Sequence, residues 1–432
     1  MRHAQSSTRR SATTRAIPML LLCLTLVTAT PVAAKPPVPA ANPTVITFWN
    51  EVTVTTVSAP AGPTNFPYFA FAHLAMYNAV VGITGEYEMY RWDKHAPTGA
   101  SPEAAAAAAA HRVLITYFPA QAATLNAKLT ESLARVPDGG AQDKGIAWGV
   151  RAADRIIALR ANDGRNAAVT IPAATEPGDW EPTPPGFVSF AGSAWLGGVT
   201  PIALDSPDRF TPGAPPPINS ATYLEDFNEV RDYGGTNTDT LRSPEQTQTA
   251  LFYSDAGIVP MQAGLRDFAT RHALDIDDSA RMFAAVDTAI ADGAITVWND
   301  KLQYMWWRPV TAIRDALIDG NPDTFGLSDG RVFTPRITTP PYPDWPSGLC
   351  SVVGAVTTTL TRLNGDGTLD LRVTSAAAGE TRTFATKAQM TVEAVDARVW
   401  SGIHFRTSDE VSIDIGTNVA NYVLDHYFQP TD

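Results

Sequence analysis

Apolar residues recur at helical spacing along most of this chain, and strand-like alternation is rare. From Phe66 to Val81 they predict a buried helix. Ser101-Pro102-Glu103 supplies an N-cap, a first-position proline and a first-turn acid ahead of the run Ala104–Ala110. Those caps, with His111-Arg112-Val113-Leu114 behind the run, predict a buried helix with close neighbours rather than a low-complexity tract. The same periodicity predicts helices near 120–136, 141–162, 219–233 and 243–255, then over 277–298, 299–306, 309–318, 348–363, 386–400 and 408–428. One hairpin is predicted, from Leu369–Val373 to Thr381–Phe384 about a turn at Gly379. The fold class is all-α: one large helical bundle or two helical halves, with long Pro-rich loops, a minor hairpin and no internal repeat.

Between the helices, residues 172–217 are rich in proline, glycine and tryptophan. The stretch is too long for an ordinary connection and too aromatic for a disordered linker, which predicts an ordered wrapping loop. It would either rim a site or cover surface. At the start of the chain, Arg2, Arg9, Arg10 and Arg15 precede an apolar run from Met19 to Val27 and the small residues Val32-Ala33-Ala34. This is the pattern of a signal peptide over 1–34 and predicts export, since the apolar run is too short for a membrane anchor. Residues 35–44 read as a Pro-rich lead-in, and 45–432 as a single helical domain with its chemistry concentrated in about 277–428. No later stretch reads as long and apolar enough to span a bilayer.

Without the first 34 residues, 28 basic residues face 44 acidic ones, a net charge of −16. Such a surface repels nucleic acid and anionic membranes, so neither is an expected partner. Of the two cysteines, Cys23 lies in the signal, so Cys350 is unpaired and stability must come from a packed core. Cys350 reads as a small buried helix residue.

Against that negative background three short segments stand out. In KLQYMWWRPVTAIR, Lys301 and Arg308 are seven apart, two helical turns, which predicts one shared face with the helix ended or kinked by Pro309. The aromatic residues between them predict burial. In YPDWPSGLCSVVGA, Pro346-Ser347-Gly348 precedes an apolar helix, whose N-terminus offers free N–H groups; Ser347 adds a hydroxyl and Gly348 permits close approach. As a lone feature it is an ordinary N-cap serine. In ARVWSGIHF, Arg398 and His404 are six apart, and Ser401-Gly402 is placed to break the helix so that both aim inward. Three buried positive charges would be costly without a multivalent anion between them, and a tetrahedral oxyanion suits arginine forks.

These segments resemble the vanadium-dependent haloperoxidases and related acid phosphatases, whose pattern is Lys-x6-Arg-Pro, then Pro-Ser-Gly-His, then Arg-x5-His. The likeness extends over Asp292–Arg314, Thr339–Ala355 and Arg398–Val423, and more weakly to residues 72–80 and the Pro-rich loop. It implies a helical bundle of that type, with vanadate as cofactor and phosphate able to take the same place. Lys301, Arg308, Ser347, Gly348 and Arg398 would hold the equatorial oxygens, and His404 would bond the vanadium. Lys301, Arg398 and His404 would be the catalytic groups. Hydrogen peroxide and a halide or small organic acceptor would be the substrates.

One position departs from the pattern. Leu349 stands where the family has the acid–base histidine, which would lower turnover by roughly 10²–10⁴-fold. His73, His95, His111 and Lys301 are the candidates to replace it. Two alternatives stay open: a soluble acid phosphatase with His404 as nucleophile, and a non-catalytic phosphate or vanadate binder.

Overall fold

Alanine and glycine set how closely the first helices pack. In the computed structural model, which describes residues 41–58, 62–236, 240–255 and 257–431, the chain runs through α1 (Thr44–Val57), α2 (Phe66–Thr84), α3 (Pro102–Tyr117), α4 (Ala122–Leu133) and α5 (Gly140–Leu159). The α3 run Ala104–Ala110 is wholly buried, and the Ser101 hydroxyl caps it by accepting from Ala104 N. A Cβ on Gly149 of α5 would lie 2.1 Å from the Ala105 carbonyl oxygen, so only glycine permits this crossing. The signal peptide and the lead-in up to residue 40 fall outside the described residues.

Helix α2 is a correction. With its preceding turn, Pro63–Thr84 is long and apolar enough to cross a membrane, but 78% of its most apolar window is buried inside the protein. It is the central helix of the core, packed on α3, α5 and the long helix Ile276–Tyr304.

The remaining helices are α6 (Ala191–Ala194), α7 (Ala221–Tyr233), α8 (Pro244–Phe252), α9 (Ile258–Arg271), α10 (Ile276–Tyr304), α11 (Pro309–Arg314), α12 (Gly348–Leu363), α13 (Lys387–Trp400) and α14 (Arg406–His426). A two-stranded antiparallel hairpin, β1 (Leu371–Ser375) with β2 (Glu380–Phe384), pairs Leu371 with Phe384 and turns at Gly379. The class is all-α, as the periodicity predicts. The two helices expected over 277–306 are one 29-residue helix, α10, because nothing between Trp298 and Asn299 interrupts its hydrogen bonds. Helices α1 and α9 were not expected: the first begins inside the Pro-rich lead-in, and Pro260 obscures the start of the second, where proline is tolerated.

Residues 41–431 share one main core that includes α2, α10, α12 and α14. A second apolar cluster gathers Tyr223, Phe227, Trp307, Ile313, Val399 and Phe405 beneath the ends of α10 and α13. The 172–217 stretch is ordered and mostly irregular. Asp292 of α10 pins it by accepting from the backbone N–H groups of Ile202, Ala203 and Leu204 at 2.6–2.9 Å. It also crosses the end of α10, where Trp180 N donates to Met305 O and Trp307 N to Gly178 O. The Trp345 indole donates to Gly213 O at 2.9 Å, so the loop covers the segment leading into α12.

Candidate functional site

Lys301 lies in the last turn of α10 and is fully buried. Its ammonium donates to three backbone carbonyls: Pro343 at 2.5 Å, Asp344 at 3.0 Å and Pro346 at 2.5 Å. An ammonium has three protons, so these bonds use its full donor capacity. The lysine fastens the segment that ends at Ser347.

Arg308 does not share a helix with Lys301. Helix α10 ends at Tyr304, with Met305 left-handed at φ +44°, and Arg308 is extended at ψ 155°. The reason is local: the residue before proline avoids the helical region, and Pro309 opens α11 at its first position. The fully buried guanidinium nevertheless reaches the same place. Nε donates to Tyr342 O at 2.8 Å and Nη1 to Ile403 O at 2.7 Å; Nη1 is also 3.0 Å from His404 Nε2. Nη2 is buried without an acceptor. The Tyr342 ring lies 5.2 Å from Lys301 Nζ and 5.0 Å from the Arg308 guanidinium carbon, a face both cations share.

Ser347 occupies the N-cap of α12, yet its hydroxyl does not cap the helix. Fully buried, it approaches Asp409 and Cys350 without a well-formed hydrogen bond. Gly348 begins the helix proper, where a Cβ would meet the Trp298 ring at 3.2 Å. Helix α13 stops at Trp400, and Gly402 at φ +77° turns the chain back, as Ser401-Gly402 predicts. A Cβ on Gly402 would lie 2.4 Å from Gly234 O. That turn brings His404, almost fully buried, back toward Arg398 in the last turn of α13. Arg398 Nη1 donates to Tyr253 O at 3.5 Å, and its buried Nε has no acceptor.

The six sequence-predicted residues thus gather at one place. The structure adds two that the sequence reading missed, both fully buried carboxylates. Asp344 Oδ1 is 2.8 Å from His404 Nδ1 and 3.6 Å from Arg308 Nη1. Asp409 Oδ1 accepts from the Cys350 thiol at 3.3 Å. The three cations are therefore not alone, and the need for a multivalent guest to offset all of them is reduced. The sequence signal for Asp344 was its place in Pro-Tyr-Pro-Asp-Trp-Pro, where prolines and aromatic rings leave an acid little room for water.

Burial dominates the titration of the cluster. It lowers His404 well below the usual imidazole range, with Arg308, Arg398 and Lys301 pushing the same way, which favours the uncharged ring. Burial and then Arg308 lower Lys301 well below the usual amine value. Burial raises Asp344 to about 6 against the opposing pull of Arg308 and Lys301, and raises Asp409 well above its ordinary value. Leu349, in the first turn of α12, is half-buried against the main core. None of the candidate replacement histidines has a contact that brings it to this cluster. His73 pairs with Asp287 elsewhere in the core, His111 with Asn126, and His95 is exposed.

Arg308 Nη2 and Arg398 Nε are buried donors lacking acceptors beside the His404 imidazole. Such a donor set fits an oxyanion such as vanadate or phosphate.

Comparison with known proteins points the same way. Residues 281–432, which include all six predicted site residues, match the VCPO second helical-bundle domain. Over 88 residues, 18% of this chain, the sequence is 40% identical to the vanadium chloroperoxidase of Curvularia inaequalis, and the match spans 14% of that protein's length. Among solved structures, the first bacterial vanadium-dependent iodoperoxidase superposes with a TM-score of 0.74 at 23% identity, over 92% of this chain and 99% of that one. A bacterial vanadium-dependent chloroperoxidase in its holo form gives 0.65 at 18% identity, over 85% and 94%. The chain has their fold.

Proposed function

With residues 281–432 carrying the VCPO second helical-bundle domain inside a haloperoxidase fold, we propose that the protein is an exported, vanadate-binding haloperoxidase. It would oxidise a halide, or a small organic acceptor, with hydrogen peroxide. The observation that carries this reading is the pair of acceptor-less buried guanidinium nitrogens, on Arg308 and Arg398, beside His404.

Arg308 Nη2 and Arg398 Nε would donate to the oxygens of the bound group, joined by the Ser347 hydroxyl. His404 Nε2 would bond its centre. When bound, vanadate supplies a Lewis-acid centre for activating peroxide toward the acceptor. Lys301 acts at one remove: its charge adds to the local positive field, while its protons hold the carbonyls of 343–346. The aromatic shell of Trp298, Tyr342, Trp307 and Phe405 excludes water, which strengthens each charge interaction.

A specific observation favours a second reading, oxyanion binding without turnover: Leu349 cannot donate or accept a proton. One experiment separates the two. Purified protein is loaded with orthovanadate, and bromination and iodination are followed with peroxide from pH 4 to 9, with p-nitrophenyl phosphate hydrolysis as the phosphatase control. Vanadate-dependent halogenation is the expected result. Tight vanadate binding with no turnover at any pH selects the binder, and phosphate release alone selects a phosphatase.

A further inference from the structure

Asp344 is held by its backbone rather than by its side chain. Its N–H donates to Trp306 O at 2.9 Å, and its carbonyl accepts from Lys301 Nζ and from Ser408 Oγ, each at 3.0 Å. The carboxylate is fully buried and has no well-formed hydrogen bond on either oxygen. A group so placed is costly to bury, and its direction is imposed by the fixed chain on both sides. That direction is toward His404, with Oδ1 2.8 Å from Nδ1.

The chemistry of the carboxylate fixes the ring. An ionised carboxylate can only accept, and a guanidinium can only donate. His404 meets both: Nδ1 is 2.8 Å from Asp344 Oδ1, while Arg308 Nη1 is 3.0 Å from Nε2 and 3.3 Å from Nδ1 and so does not choose between them. The neutral imidazole that meets the carboxylate carries its proton on Nδ1 and leaves its lone pair on Nε2.

We propose that Asp344 is the positioning residue of this site, fixing His404 as the Nδ1–H tautomer with the Nε2 lone pair presented to the oxyanion. The tautomer assignment stands on contacts within the chain; its consequence for binding rests on the vanadate reading above. A carboxylate behind a ligating histidine orients the ring and raises its basicity, and losing such a partner typically weakens binding by about 10–100-fold.

The test uses the full folded protein with ¹⁵N-labelled histidine. The His404 signals are assigned by their loss in His404→Gln, and the ring-nitrogen shifts report the tautomer without vanadate or turnover. Orthovanadate affinity is measured separately, by equilibrium dialysis and ⁵¹V resonance. In the unmodified protein the Nδ1–H form is expected. Asp344→Asn keeps an acceptor oxygen and should keep both the tautomer and the ⁵¹V signature. Asp344→Leu should populate the Nε2–H form and weaken vanadate by about 10–100-fold. An Nε2–H ring in the unmodified protein overturns the proposal, and that result needs no variant to fold. Unchanged vanadate affinity in a folded Asp344→Leu protein overturns it as well. If the unmodified protein binds no vanadate while showing the Nδ1–H ring, the positioning role stands and the vanadate reading fails.

Discussion

Among the described residues two buried imidazole–carboxylate pairs occur, and one of them has the surroundings of a site. His73 of α2 has Nδ1 2.5 Å from Asp287 of α10, as His404 has Asp344. Around His73 the remaining polar groups are amides that satisfy one another. Asn50 Nδ2 is 3.2 Å from His73 Nε2 and donates to Gln262, which donates to Asp287, while Phe283 stacks on the ring at 5.2 Å. A single arginine, Arg266, touches the edge of this network through Asn50. Around His404 there are three cations and at least two donors with no acceptor. The pair itself does not make chemistry. What surrounds it decides between an amide-ringed core contact and an anion cradle.

The contrast is sharpened most by supplying the cradle with the group it lacks. Leu349→His should raise vanadate-dependent halogenation by roughly 10²–10⁴-fold, read as kcat at saturating peroxide. No gain would mean that the half-buried start of α12 does not face the reacting group. Next in size is the removal of each imidazole. His404→Gln should weaken orthovanadate binding by at least about 100-fold, since a direct ligand matters more than its outer partner. His73→Gln should leave that affinity unchanged and lower stability by about 1–3 kcal/mol in denaturant titration. Equal effects on binding would erase the distinction.

A smaller effect compares two glycines at positive φ. Gly402→Ala should cost about 2–3 kcal/mol, because the turn strain adds to an overlap with Gly234 O. Gly379→Ala, whose Cβ would meet nothing within 4 Å, should cost about 1 kcal/mol. The last comparison is the pH dependence. Burial raises Asp344 and Asp300 to about 6 and Asp226 to about 7, so the folded state holds protons that the unfolded chain has released. Their stabilising contribution is complete below about pH 3.9 and is lost as pH rises through 6–7. Asp226→Asn should flatten that part of the curve in chemical denaturation between pH 4 and 8.

How far the sequence could be read follows from whether each signal is local. The Ser101 cap and the Gly402 turn depend on a few neighbouring residues and were legible. Lys301, Arg308, Arg398 and His404 were legible as a set because their chemistry is unusual in so acidic a chain. The break between Lys301 and Arg308 was misplaced, since the left-handed Met305 carries no sequence mark and helix spacing alone allowed continuity. Asp344 and Asp409 were missed because an acid in a loop or a helix start is ordinarily solvated. Their burial is a property of the packed whole. Charge arithmetic on the cations alone therefore overstated what a guest must supply.

The grip of Lys301 on three carbonyls has a mechanical consequence. The ammonium makes the last turn of α10, the Pro-rich segment and the entry to α12 a single rigid knot, so the Asp344 carboxylate and the Ser347 hydroxyl cannot shift independently. Cutting that knot with Lys301→Met would loosen two sides of the pocket together while removing no other charged group.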